Sequence, residues 1–483
     1  MSFISFIYLI FLFFNIKTDD NERLIFVMTH FRHGARAPQH FFNQAEYKDY
    51  IKQNWGNPGE LTGVGQRSHY LLGLRNRKRY VDEKKFLSEK FDPHEILIYS
   101  SPFNRTIISV ASQLQGLYPQ YEELGDTIED NQTEVSKPGV NIDDEEIQNE
   151  IKKLNRSALP YSMMLAPIRM ININERKIIL YDIDPCTKVR DEIKEKHEST
   201  FETIKEITKE FKDKYAETLN EFYGRKQVYN MKFLDNFCDA FISSYTHKRE
   251  MTELNKTGLR EDELVDFCFR YVKINFRDWV NGDKEHVFAH LESSKMMKEI
   301  IHYMGERIKA DINKEKIEDK YEDYSRPKMM MISGHDSTVS CYQIFLLNAL
   351  GKDVVEYYQY PKFTTQIAFE VTTTKAFEEE KTEDDYLVTY YFNDDPILNV
   401  TFPEFRDKIK PHIWTAKQID NFCGFENDDE DDDDDDSNKA LVITFISLTA
   451  FFFCTTLFLA IRLWKLKNSS HITYDSPLLT KSD

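Results

Sequence analysis

The sequence predicts an α/β protein: a mostly parallel, doubly wound sheet with helices on both faces, an inserted α-helical cap and a C-terminal transmembrane helix. Three observations carry this expectation. Three short apolar runs end in reactive residues: Leu24–Met28 leads to Arg32 and His33, Ile96–Tyr99 leads to Ser100, Ser101 and Arg105, and Met329–Ile332 leads to Gly334-His335-Asp336. Strands of one sheet that all end in functional side chains fit a site at the carboxyl ends of parallel strands. Residues 187 to 310 are poor in glycine and proline, with apolar residues at three- and four-residue spacings among charges. Residues 440 to 461 form a 22-residue stretch without a charge.

Taken in order, the chain divides as follows. Residues 1–18 read as a signal peptide, because the apolar block 3–14 is too short to span a bilayer and is followed by Asn15, Lys17 and Asp19. Residues 19–185 and 311–425 are the two parts of the α/β core, and 186–310 are the helical cap. Helices are expected over Thr106–Leu117, Asp191–Phe222, Asp262–Trp279, Leu291–Arg307 and Val339–Leu350. Lys362–Thr372 and Tyr386–Phe392 alternate like the strands of a late hairpin. Residues 426–439 are an acidic stalk, 440–461 the membrane span and 462–483 a cytoplasmic tail. Lys439 on one flank and Arg462, Lys465 and Lys467 on the other orient the span with the catalytic part on the lumenal or extracellular side, as a type I membrane protein. Tyr474-Asp475-Ser476-Pro477-Leu478-Leu479 in the tail holds tyrosine- and dileucine-like elements suited to endosomal or lysosomal sorting.

The net charge of -19 is largely local, since ten of the eleven residues from Glu426 to Asp436 are acidic. A moderately acidic globular part argues against a nucleic-acid partner. Of six cysteines, Cys186, Cys238, Cys268, Cys341 and Cys423 fall on the lumenal side, where an oxidising compartment favours disulfides, and Cys454 falls in the span. Sequons at Asn131, Asn155, Asn255 and Asn399 fit a glycosylated ectodomain. A fifth, at Asn104 beside Arg105, is expected to stay bare because its glycan would sit in the site at the strand ends. His286 and His290 share a helical face, but no glutamate follows His286 in the manner of a zinc protease, and no metal is expected. His30 is expected as a packed strand-end histidine.

The chemistry is concentrated in Arg32-His33-Gly34-Ala35-Arg36-Ala37-Pro38. An imidazole with one nitrogen held by a hydrogen bond is a competent nucleophile, and the planar forks of two arginines match phosphate oxygens. With Leu61-Thr62 and Gly65, with Ser101 to Thr106, and with the late His335-Asp336 pair, the sequence resembles the histidine acid phosphatases, especially the membrane-anchored lysosomal and prostatic type. The resemblance spans most of residues 24–425. It implies that His33 is the nucleophile, that Arg32, Arg36, Arg105 and His335 hold the phosphate, and that Asp336 protonates the leaving group. Three guanidiniums and an imidazole can neutralise a phosphate monoester, so no cofactor is required. Beside an anionic phosphate, Asp336 is expected to hold its proton into mild acid.

The resemblance further implies a homodimer and, by analogy, a Cys186–Cys423 disulfide. Cys238 lacks its usual partner, which leaves Cys268 for it and Cys341 as a buried free thiol. Tyr99 stands where mammalian members have an arginine, and no cysteine occurs between Lys362 and Thr365. The expected function is hydrolysis of phosphate monoesters by an acid phosphatase. The alternatives are a retired phosphatase scaffold serving as a membrane receptor, or a more specific enzyme such as a phytase or lysophosphatidate phosphatase.

Overall fold

The computed structural model describes residues 22–39, 55–119, 126–138, 140, 142–171, 202–222, 226–248, 258–281, 287–315 and 326–423. Seven strands form one sheet: β1 (Arg23–Arg32), β2 (Ile96–Ser100), β3 (Arg169–Met170), β4 (Met329–Gly334), β5 (Gln366–Thr373), β6 (Leu387–Phe392) and β7 (Asp395–Thr401). Their order is β3-β2-β4-β1-β5-β6-β7. The first four are parallel to one another, whereas β5, β6 and β7 are joined to β1 and to each other by antiparallel pairing.

The sheet is therefore mixed, not mostly parallel as the sequence suggested. For β6 and β7 the reason lies in connection length: only residues 393–394 join them, too few for the crossover of about a dozen residues or more that a parallel pair needs. The late hairpin pattern was legible, but β5 begins at Gln366, later than expected, and β7 was not anticipated. β7 is half exposed, and Asp395, Pro396 and Asn399 interrupt the apolar alternation by which a strand is recognised.

Register places the site. Val27 and Ile96 both pair with Met329, while Arg32 pairs with Gly334 and Ser100 with Ser333. The carboxyl ends of β1, β2 and β4 are thus level. Past them, His33 N–H donates to Gly334 O at 2.9 Å and Ser101 N–H to Ser333 O at 3.1 Å.

Helices α1 (Gly63–Arg77), α2 (Asn104–Leu117), α3 (Glu145–Leu154), α4 (Glu202–Phe222), α5 (Met231–Thr246), α6 (Glu261–Asn281), α7 (Val287–Ile312), α8 (Asp336–Ala349), α9 (Val354–Tyr357) and α10 (Phe402–Ile409) complete this unit. Side chains alternate across the parallel strands, and each face is covered. Met28, Met330 and Ile332 pack with Met296, Ile300 and Met304 of α7 and with α8, while Val27, Phe31, Met329 and Met331 pack with Val110, Leu114 and Leu117 of α2. Strands buried on both sides explain the unbroken apolar run Met329–Ile332.

The helices expected as a cap divide between two clusters. Phe211 of α4, Phe237 and Phe241 of α5 and Phe267 and Tyr271 of α6 form an aromatic core of their own, whereas α7 packs on the sheet. α6 joins the two, with Leu264 to Val272 in the aromatic cluster and Trp279 and Val280 in the sheet cluster. A disulfide links Cys238 of α5 to Cys268 of α6, with Cα atoms 5.0 Å apart, and Cys341 is a buried free thiol. A second unit starts at Ala416 and contributes α11 (Ala416–Cys423). Cys186, Asn255, His286, the signal segment, the acidic stalk, the span at 440–461 and the tail lie outside the described residues. Among the described residues no helix is long and apolar enough to cross a membrane.

Candidate active site

The loop after β1 is shaped by two glycines. A Cβ on Gly34 would lie 2.5 Å from Gly65 O, and one on Gly65 would lie 2.2 Å from Ala35 O. Only glycine permits this approach. Thr62 adds the clamp: its N–H and its hydroxyl both donate to Ala35 O at 3.1 Å, and its Oγ1 caps α1 by accepting from Gly65 N–H. Leu61-Thr62 and Gly65 therefore act by fixing the loop that carries His33 and Arg36.

His33 is buried, and its Nδ1 lies 2.9 Å from Gly34 O. A carbonyl only accepts, so Nδ1 carries the hydrogen and Nε2 keeps its lone pair. Burial holds the ring well below its ordinary pKa, and the charges of Arg32, Arg36 and Arg105 and the neighbouring His335 ring add to that. The imidazole is neutral. That is the form a nucleophile requires.

Arg32, Arg36 and Arg105 line one cavity of about 300 Å³ together with His33, His335 and Asp336. Thus residues from 32 to 336 in the sequence meet in one place. Arg105 stands in the first turn of α2, where its guanidinium lies over the Phe103 ring and donates to His335 Nδ1 at 3.4 Å. His335 Nε2 is then the protonated nitrogen, 3.0 Å from Ser101 Oγ, which in turn meets Thr106 Oγ1 at 2.8 Å. Burial first, and Arg105 next, push the His335 pKa down to about 3, so this ring too is neutral. The middle motif thus orients His335 as well as supplying Arg105.

Asp336 opens α8, and its Oδ1 accepts from Ser337 N–H at 3.0 Å. Its Oδ2 lies 2.6 Å from an Arg32 nitrogen and accepts from the Tyr360 hydroxyl at 3.1 Å. Burial pushes this carboxyl up, but Arg32, Arg36 and His335 outweigh it and hold the pKa below its ordinary value. This is the reverse of the direction expected from sequence: the expectation weighed an anionic phosphate beside Asp336, whereas the Arg32 guanidinium lies 2.6 Å from the carboxyl and favours its charged form.

Four other groups that line the cavity, Tyr360, Phe363, Asp235 and Asp239, carry no signal in the sequence. Tyr360 bridges Asp336 and Arg32, the latter at 3.2 Å. Phe363 places its ring 4.3 Å from the Arg32 guanidinium carbon. Its segment is held by Arg32 N–H donating to Thr365 O and by Thr364 N–H donating to His33 O. Thr364 itself adopts φ 63°, a strained value for a β-branched residue, and its hydroxyl meets Ser68 Oγ at 2.8 Å. On α5, Asp235 and Asp239 share one face at four-residue spacing and both line the cavity. Asp239 pairs with Arg36 at 2.8 Å. No short motif surrounds these groups, so sequence reading had nothing to fix on.

Other expected positions fall away from the cavity. Asn104 is exposed and bonds to Glu60 at 3.1 Å, so it stands on the surface at the start of α2, not in the phosphate pocket as expected. Asn131, Asn155 and Asn399 are exposed. Tyr99 packs against the sheet core and does not line the cavity. His30 is buried, 3.3 Å from Thr338 Oγ1, and His290 Nδ1 lies 2.7 Å from His412 O.

Several curated relatives are matched over only about a quarter of their length, among them a lysosomal acid phosphatase of Xenopus laevis, 37% identical over 109 residues, which is 22% of this chain and 24% of that protein. A prostatic acid phosphatase of Bos taurus is matched more broadly, at 23% identity over 67% of this chain and 69% of its own. Among solved structures, a Hafnia alvei phytase in its apo form covers 84% of this chain and 99% of its own, with 10% identity and a TM-score of 0.49. Residues 23–393, which hold every site residue described above, match the family model, and the chain belongs to the histidine phosphatase superfamily, branch 2.

Proposed function

We propose that this protein hydrolyses phosphate monoesters through a covalent phosphohistidine on His33. The observation that carries the reading is a neutral, buried imidazole with Nδ1 tied to a carbonyl, lining a cavity with three guanidiniums. His33 Nε2 attacks phosphorus as the bond to the leaving oxygen breaks. Asp336, protonated once phosphate has taken Arg32 from it, gives its proton to that oxygen. Water then attacks the phosphohistidine, Asp336 takes the proton of the water, and phosphate leaves with His33 restored. Arg32, Arg36 and Arg105 neutralise the transferring group, and His335 steadies Arg105.

The cavity favours substrates with a single phosphate. Among the described residues its outer wall is Met231, Ile242, Val272, Phe276 and Trp279, with Asp235 and Asp239, and no lysine lines it. Apolar rings suit an aromatic or aliphatic leaving group, while the carboxylates repel the further phosphates of an inositol polyphosphate. The lysosomal and prostatic names of the relatives and the exposed sequons support an exported, glycosylated enzyme. In this reading Asn131, Asn155, Asn255 and Asn399 carry glycans, Cys186 pairs with Cys423, residues 440–461 anchor a type I membrane protein, and the enzyme is a homodimer.

The test is hydrolysis of p-nitrophenyl phosphate by the full chain from pH 4 to 8 with EDTA, alongside His33→Ala and Asp336→Asn. His33→Ala is expected to lose on the order of 10⁴-fold or more, the scale of a removed nucleophile. Full activity in that variant would end the phosphohistidine reading.

A further inference from the structure

Each of two arginines lining the cavity is paired with a carboxylate. Arg32 holds Asp336, and Arg36 holds Asp239 of α5 at 2.8 Å. Asp336 has a catalytic reason to be there. Asp239 has none, since it projects from the aromatic helical layer and no step of the hydrolysis uses it.

Among the described residues the charges lining the cavity balance. Three guanidiniums, from Arg32, Arg36 and Arg105, face three carboxylates, from Asp235, Asp239 and Asp336. The two imidazoles are neutral, and Tyr360 is kept protonated by its burial. α6 adds Asn275 and apolar side chains but no charge. A phosphate monoester entering such a pocket makes it net negative unless protons come with it. Asp336 accounts for one proton.

Asp235 is a poor choice for a second. Its Oδ1 accepts from the Tyr271 hydroxyl at 2.9 Å and from Asn275 Nδ2 at 3.0 Å, neutral donors that phosphate does not displace. Asp239 is held differently. One oxygen pairs with Arg36, and the other accepts from Gln39 N–H at 2.7 Å. A phosphate oxygen arriving at Arg36 takes the place of the first and leaves a carboxylate beside an anion.

Resting on the reading of His33 and its arginines as a phosphate site, we propose that Asp239 is a specificity-determining residue that occupies Arg36 until phosphate displaces it with uptake of a proton. Substrate affinity then rises as pH falls, separately from the protonation of Asp336 that governs the chemical step. The same residue sharpens selection against a second phosphate, whose charge would meet Asp235 and a displaced Asp239 together.

Asp239→Asn in the full chain keeps the shape and removes the charge. With p-nitrophenyl phosphate, KM at pH 7 is expected to fall by about tenfold, the low end for a close charge pair at a binding site. The rise of KM between pH 5 and 7 should flatten, while the pH profile of kcat keeps its form. Inhibition by inorganic phosphate should strengthen in parallel. A higher KM at pH 7, or an unchanged pH dependence of KM, would overturn the proposal and make Asp239 a support for Arg36. Asp239→Ser is the second variant, and titration of inorganic phosphate into His33→Ala with and without Asp239→Asn reads the same effect without turnover. A failure there counts against Asp239 alone, whereas full activity of His33→Ala counts against the phosphohistidine.

Discussion

One half of the cavity is formed by the ends of β1, β2 and β4, and the other by α5, α6 and the segment before β5. The first carries Arg32, His33, Arg36, Arg105 and His335, held by backbone bonds between level strand ends and by the Gly34–Gly65 contact. The second carries Asp235, Asp239, Val272, Phe276, Trp279 and Tyr360, of which Val272 belongs to the aromatic core that the disulfide crosses and Trp279 to the sheet core. In the proposed reading the first half binds and transfers phosphate, and the second selects what is attached to it. In that reading chemistry and selectivity rest on different elements, which meet at the Arg36–Asp239 ion pair and at the Tyr360 hydroxyl between Arg32 and Asp336.

The largest effect that would break this division is at Arg105. Arg105→Ala should lower kcat by about 10²-fold, as for loss of a preorganised donor to transition-state charge. A drop under about threefold in steady-state assays would move Arg105 out of the phosphate half.

A second difference is that the phosphate half rests on buried neutral imidazoles. Burial lowers the pKa of His30 to about 3 and that of His69 to about 4. Both folded values lie below the unfolded value of about 6.5, so folding favours the neutral ring. Their support is complete above pH 6.5 and is lost as pH falls toward 4 and then 3. Each costs about 1.4 kcal/mol per pH unit over that window. Urea denaturation at pH 7, 6 and 5 should show stability falling with acidification, and His69→Gln should remove about one imidazole's share of the slope. An identical slope in the variant would show that His69 is protonated in the folded protein.

The smallest effect sharpens the boundary. Tyr360 belongs to the outer half but donates to Asp336 and accepts from Arg32. Tyr360→Phe should lower kcat by about fivefold or less, the value of one hydrogen bond. The loss of a donor to the ionised carboxyl should move the basic limb of the kcat profile to higher pH. A uniform loss at every pH would make Tyr360 a packing residue only.

Much of the phosphate half could be read from the chain because its residues come in short clusters. Arg32 to Arg36, Ser101 to Thr106 and His335-Asp336 each follow an apolar run, and three such runs predict one sheet edge. Level register then makes the clusters neighbours. The direction of β5 to β7 was harder, since an apolar alternation has the same appearance in parallel and antiparallel strands. The pKa of Asp336 was harder still, because the Arg32 guanidinium that lowers it is 304 positions away.

The sequence by itself determined the family, the parallel core and the clusters that meet in the cavity, because backbone turns, glycine contacts and strand ends are local properties. The outer wall was decided only by tertiary structure. Asp239 is an ordinary helix-surface carboxylate until α5 packs beside Arg36, and Tyr360 is a loop tyrosine until the approach to β5 lays it across Arg32 and Asp336. A charge acquires a role from the charge it faces, and which charges face each other is fixed by packing across hundreds of residues.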